Sequence, residues 1–256
     1  MYYLSECLII RDENQYLLEH LIKGVQAGIE HFYIYDNRSV EPVEEFLRKN
    51  GSEFLEACTI ERYHSDGQLQ IKCYDHFLDQ HRDDTKWCAF IDTDEMFEGD
   101  LLGLCEENED YLTLRIQQIL HGGNGKAYKP EGTLTDNYQS HILEHRRMVK
   151  LVSQVKYVKQ QHPHDMILND LGNSVNMRKW YKYVEWNEKC QLHHYIYRSF
   201  EEWLQKIKRG NVLPQIGAHV SEWFRENTIS DEDRDALLAK YDMQLDDRMG
   251  FDYKVR

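Results

Sequence analysis

Hydrophobic and polar positions switch between two periods along the first hundred residues. Apolar residues run together over positions 4–10, as in a short strand. Tyr16, Leu17, Leu18, Leu21, Ile22 and Val25 then recur at helical spacing until Gly28 closes the element. "HFYIYDN" predicts a second strand ending in a turn, Pro42 opens a helix over "PVEEFLRK" that stops near Gly51, and "EFLEACTIERY" reads as a third strand. A helix over about 68–80 leads into the strand "KWCAFI". Strands alternating with helices predict an α/β fold with a mostly parallel central sheet flanked by helices. In such sheets the crossovers are right-handed and ligands sit beyond the carboxyl ends of the strands. Three strand ends therefore matter most: residues 11–14, 36–39 and 92–95.

Beyond residue 110 the pattern loosens into one more clear strand, "YLTLRIQQI", and a glycine-rich loop over 121–132. Ser199 followed by Glu202 has the pattern of a capping box. It predicts a helix with Phe200, Trp203, Leu204 and Ile207 on one face, ending at Gly210. The expected organisation is one main domain over 1–215 and an acidic helical extension over 216–256, either a peripheral helix or a tail.

Composition narrows the partners. The chain has 256 residues, enough for one large α/β domain, and carries 31 basic against 45 acidic residues, a net charge of -14. That balance argues against nucleic acid, and an anionic ligand would need local help. Six cysteines without a CxxC pair, no signal-peptide pattern and no apolar run of spanning length predict free thiols, a cytoplasmic location and no transmembrane segment. Peripheral membrane association stays open.

The chemistry concentrates in "WCAFIDTDEMF", where an apolar run stops in three carboxylates. With 45 acidic residues in 256, about eight acidic i, i+2 pairs arise by chance. Asp231, Asp233 and Asp235 have that spacing too, but they follow Ser230 at the start of a helical pattern, where acidic residues favour the positive end of the helix dipole. Asp92 and Asp94 differ because a strand delivers them to the mouth of the sheet and extended backbone points both the same way. They can share Mg²⁺ or Mn²⁺, which would let an acidic protein hold a nucleoside diphosphate and would stabilise it as a leaving group. The alternative is a pair of solvated turn carboxylates.

Seven stretches in order, "RDENQYLLEHL", "GIEHFYIYDNRS", Gln70 with Tyr74, "WCAFIDTDE", "HGGNGKAYKPEG", "HPH" and "HHYIYRSFEEWLQKIKRG", resemble the metal-dependent glycosyltransferases of the GT-A fold. The resemblance is to glycosyltransferase family 92 and bacterial relatives near family 2, and it covers residues 4–211. It implies that Asp92 and Asp94 bind the metal and that Glu13, Asp36, Asn37 and Gln70 lie near the nucleotide. Glu13 reads equally well as an acidic residue in a first helical turn. His194 falls where such enzymes supply a late histidine to the metal or diphosphate, with His193 as the neighbouring alternative; an imidazole ligand favours Mn²⁺ over Mg²⁺. Arg198, Lys206, Lys208 and above all Arg209 would face the diphosphate, or else form a solvated helix face. His162 and His164 resemble the family's acceptor-side histidine. Their spacing would also suit zinc, but no cysteine pair accompanies them. Glu131, between Pro130 and Gly132, is the candidate general base.

Two positions depart from the family's pattern: Met96 follows the carboxylates where an aromatic residue is usual, and the acidic residue after "YDN.S" is displaced to Glu41. The implied function is transfer of a sugar from a nucleotide sugar, expected to be UDP-linked, to a glycan or glycolipid hydroxyl with inversion. Trp87, Trp180, Tyr181 and Trp186 are candidates to stack on sugar rings or to pack the fold. A metal-dependent nucleotidyltransferase or phosphohydrolase, or an inactive sugar-binding scaffold, is the alternative.

Overall fold

The computed structural model describes residues 1–64, 69–142, 148–174, 179–185, 189–209 and 220–245. The chain divides into two compact units, one from Met1–Ile119 with Glu144–His194, the other from Leu120–Leu143 with Tyr195–Arg256.

The first unit begins as the periodicity predicts, with β1 (Tyr2–Ile10), α1 (Asn14–Gln26), β2 (His31–Asp36), α2 (Val43–Asn50), β3 (Cys58–Arg62), α3 (Leu69–His81) and β4 (Thr85–Phe90). The strands lie in the order β3-β2-β1-β4, all parallel. Both faces of this half are covered, and the period of two sorts the side chains between them. Leu4, Leu8, Phe32, Ile34, Trp87 and Ala89 enter one core with Leu17 and Leu21 of α1. Cys7, Tyr33, Tyr35, Cys88 and Phe90 enter the other with Tyr74 and Phe77 of α3. Trp87 is therefore core and not a sugar platform.

One expected strand is half helical. Residues Ser52–Ala57 form a 3₁₀ helix before β3 starts at Cys58. Good helix formers (Glu53, Leu55, Glu56 and Ala57) follow Gly51, and Phe54 and Leu55 both reach the first core from this turn.

The remaining strands of this unit pair mostly antiparallel, which the loosened pattern did not announce. They are β5 (Glu95–Gly99), β6 (Tyr111–Leu120), β7 (Val149–Gln154), β8 (Val158–Gln161), β9 (Met166–Leu168), β10 (Lys179–Val184) and β11 (Cys190–His194), with short helices α4 (Leu101–Glu106), α5 (Leu134–Asn137, in the second unit) and α6 (Asp170–Ser174) between them. The sheet continues β4-β7-β6-β11-β5, giving nine strands with β10 beside β6 among the described residues, and β8 pairs with β9 separately. β7 runs antiparallel to β4 and β6, β11 antiparallel to β5, and β10 parallel to β6.

In the second unit α7 (Phe200–Arg209) starts with the expected capping box. The Glu202 amide donates to Ser199 Oγ at 3.3 Å, and Ser199 Oγ donates to Glu202 Oε2 at 2.7 Å. Tyr138 Oη adds a bond to Glu202 Oε2 at 2.6 Å. α8 (Asp231–Tyr241) is capped by Ser230, whose Oγ accepts from the Asp233 amide at 3.1 Å, so its acidic triplet is a helix start. Phe200, Trp203, Leu204, Trp223, Leu237 and Leu238 share one core. The segment after residue 216 thus contributes to a packed core over its described residues.

Candidate functional site

The parallel order β2-β1-β4 brings the carboxyl ends of three strands side by side, and with them residues 11–14, 36–39 and 92–95. The first two loops are tied together. Val40 N–H donates to Asp12 Oδ1 at 2.7 Å, Asp12 N–H to Ser39 Oγ at 3.1 Å, and Asn14 Nδ2 to the Glu41 carbonyl at 2.8 Å. Asp36 is buried and turned into this structure, accepting from the amides of Ser39 at 2.8 Å and Val43 at 3.3 Å. Its carboxylate therefore shapes the loop that opens α2. Asn37 donates its backbone N–H to the Ile10 carbonyl, and Glu13 caps α1 by position without a side-chain capping bond.

The third strand end is a tight acidic turn. Glu95 folds back so that its Oε2 accepts from the Asp92 amide at 2.9 Å, while its own amide donates to the Asp92 carbonyl at 2.9 Å. Glu95 is fully buried and draws in three strands: Gln118 of β6 donates to Oε1, Lys150 Nζ of β7 lies 3.1 Å from Oε2, and His194 Nδ1 of β11 lies 3.5 Å from Oε1. Burial holds its carboxyl above the ordinary range against the pull of Lys150, with Asp92 and Asp94 adding to the rise.

The two predicted aspartates occupy different surroundings. Asp94 is buried, with Oδ1 3.7 Å from His194 Nε2. Asp92 keeps 38% of its side chain exposed, with Oδ2 accepting from Lys150 Nζ at 2.6 Å and Oδ1 from Gln70 Nε2 at 3.0 Å. Gln70 reaches Tyr74 Oη with the same nitrogen, at 3.0 Å, which accounts for the pairing of these two positions on α3. Lys150 is fully buried. Burial alone would lower its pKa, but Asp92 and Glu95 outweigh that and raise it, so its ammonium stays charged.

Asp92, Asp94, His194 and Gln70 are thus brought together in the first unit. His164 joins them at the margin: its Nδ1 lies 2.7 Å from the Val149 carbonyl, next to Lys150, and burial lowers its pKa. His193 is held on β11 opposite Met96, with Nε2 3.7 Å from Glu98 Oε2. Trp180 and Tyr181 are exposed on β10, whereas Trp186 lies outside the described residues. The other candidates belong to the second unit. Glu131 is exposed in its turn, where its carbonyl accepts from Asn137 Nδ2 at 2.8 Å. Arg209 ends α7, and Arg198 is buried with its guanidinium 4.0 Å from Glu202. Lys150 and Gln118 were not singled out from the sequence, and Glu95 only as the third carboxylate of the strand end. The only signal for Lys150 is a lone charge inside the apolar alternation "VKLV".

Carboxylates with one imidazole suit Mn²⁺ better than Mg²⁺ or zinc. Among the described residues Asp92, Asp94 and His194 do not form a ready three-point cluster, and Asp92 is engaged by Lys150 and Gln70. Asp94 and His194 facing one another still fit an ion of this kind, which commonly takes one or two protein donors and fills its remaining positions with water and phosphate oxygens.

No family model matches the chain. A glycosyltransferase family 92 protein of Oryza sativa subsp. japonica is 23% identical over 258 residues, spanning 94% of this chain and 40% of the relative. One of Ricinus communis is 21% identical over 239 residues, spanning 89% of this chain and 40% of the relative. The chain resembles the glycosyltransferase family 92 proteins. It spans about two fifths of the length of these family 92 relatives. In fold it is similar to Staphylococcus aureus TarS residues 1–349 in complex with UDP, with a TM-score of 0.50, 13% identity, and coverage of 99% of this chain and 75% of that one. The GT-A fold expected from the family 92 resemblance is the fold observed. No described helix is long and apolar enough to cross a membrane.

Proposed function

We propose that this chain is a glycosyltransferase that binds a nucleotide sugar, UDP-linked, at the carboxyl ends of β1, β2 and β4 and transfers its sugar to a glycan or glycolipid hydroxyl with inversion. The observation that carries the reading is the acidic turn 92–95 at that edge, with His194 facing Asp94. The resemblance to family 92 proteins and the UDP complex of TarS support it.

Asp94 and His194 would hold the divalent cation, Mn²⁺ in preference to Mg²⁺, with Asp92 beside them. When bound, the cation would neutralise the diphosphate and stabilise its departure. Gln70 and Lys150 orient Asp92, and Glu95 locks the turn by holding the Asp92 amide. The β1–α1 and β2–α2 loops provide a fixed rim on which Glu13 and Asn37 face the nucleoside. Preorganisation of this kind lowers the cost of binding and aligns the donor. By resemblance, Glu131 takes the proton from the acceptor hydroxyl and Arg209 faces the diphosphate.

Calorimetric titration of UDP with and without Mn²⁺, on the protein and on Asp92→Asn/Asp94→Asn, tests the reading. Metal-dependent binding that the double substitution abolishes is expected, followed by release of UDP from a turned-over UDP-sugar. Binding indifferent to metal and carboxylates would overturn the donor site, and release of phosphate or pyrophosphate would replace sugar transfer with another reaction.

A further inference from the structure

Lys150 brings to this cluster a positive charge that a metal site does not call for. Its side chain is 2% exposed, it comes from a strand antiparallel to β4, and it touches two of the three carboxylates of the acidic turn. A lysine is rarely buried unless paired, and this pairing costs the ion its hydration. The ammonium also sits directly behind the most exposed of the three carboxylates, at the surface a ligand would approach. A charge so placed acts on anything bound at Asp92. It repels a bare cation and attracts a phosphate, in a region where solvent screening is weak.

We propose that Lys150 is an internal counter-ion that sets the charge of the donor site, weakening its hold on a divalent cation alone and strengthening its hold on the nucleotide diphosphate, so that the two bind as a pair. The inference rests on the donor-site reading above. In that role Lys150 is a positioning residue: it acts through Asp92 and Glu95. The coupling is reciprocal, each ligand raising the affinity for the other by the same factor.

The test is calorimetry with Mn²⁺ alone, UDP alone and both together, on the protein and on Lys150→Met, Lys150→Arg and Asp92→Asn. Lys150→Met should bind Mn²⁺ alone about tenfold more tightly and metal-free UDP about tenfold more weakly, by removal of one unit charge at short range. Lys150→Arg should restore both values to within a few-fold. A merely structural lysine would weaken both ligands together on removal, and that result overturns the proposal. Asp92→Asn, at a half-exposed position, keeps the ammonium and removes its exposed partner. It should strengthen metal-free UDP binding several-fold even if Lys150→Met does not fold, and weaker metal-free binding would overturn the proposal. If the unaltered protein binds no UDP with Mn²⁺ present, the donor-site reading itself fails. If it binds and the substitutions shift nothing, only the role of Lys150 fails.

Discussion

Behind the acidic turn, Glu6 of β1 and His20 of α1 form an ion pair in which each side chain is 1% exposed, beside the backbone at Thr93, between the two aspartates. Removing one partner of a buried pair strands the other charge and costs about 3–5 kcal/mol, while replacing both with apolar residues of similar volume is often neutral. In a domain of this size each kcal/mol lowers the melting temperature by roughly 2–4 °C, so Glu6→Met or His20→Leu alone should lose on the order of 6–20 °C and the double substitution far less. The pair also has a pH signature. Burial opposes the charge on His20, but Glu6 outweighs it and raises the imidazole above its ordinary value. The folded state therefore binds the proton more tightly than the unfolded state. The contribution is complete below about pH 6.5 and is lost as pH rises through the higher folded-state value. Differential scanning fluorimetry from pH 6 to 9 on the protein and the non-titrating double variant should show the protein losing ground as pH rises. Single substitutions costing under about 1 kcal/mol, or a gap independent of pH, would refute this account of the pair.

Ser199→Ala removes the α7 cap and one of the bonds to buried Glu202, and should cost about 1–2 kcal/mol by urea unfolding, with Ser199→Thr, which keeps the hydroxyl, recovering part of it. A Cβ at Gly123 would come within 2.1 Å of the Arg198 carbonyl and 2.9 Å of the Trp223 ring. Gly123→Ala is therefore expected to lower the melting temperature and to disturb the near-ultraviolet signal of that tryptophan, which donates Nε1 to the same carbonyl at 3.0 Å. Glu131→Gln should lower turnover of a UDP-sugar by about a hundredfold or more while leaving UDP affinity unchanged; an unchanged rate would free the base assignment for another residue. Trp180→Ala and Tyr181→Ala, at exposed positions on β10, should raise the acceptor KM and leave UDP binding untouched.

The parallel half of the fold was legible because β1, β2 and β4 are largely apolar, buried runs, and Gly28 and Gly51 stop the first two helices between them. Gly28, with φ of 95°, and Pro42 at the cap of α2 punctuate the chain where the sequence placed them. Asp92 and Asp94 were legible for the same reason, since an apolar strand points to its own end. In the antiparallel half only β6, over "YLTLRIQQI", was legible. β5 and β11 are five residues each, their edges carry Glu98 and Gln191, and the pairing that matters joins segments far apart in sequence, which no local period records. Lys150 and Gln118 were hidden because a polar residue inside a strand reads as its solvent side. Here that side faces other carboxylates under the turn. Asp36, expected at a ligand contact from its place at a strand end, also accepts backbone amides of its own loop on both oxygens, which no local period records.

Asp94 and His194 face each other across a hundred positions of chain, brought together only when β11 lies antiparallel on β5. Closing so long a loop carries an entropic cost that local contacts such as α1 on β1 avoid, so this pairing belongs among the slow steps of self-assembly. In a chain emerging from the ribosome the first carboxylate is in place long before its histidine exists. A nascent intermediate can thus hold a finished parallel half-sheet and still lack the means to capture a ligand, and recovery of binding during refolding would be a clock for the last strand to dock.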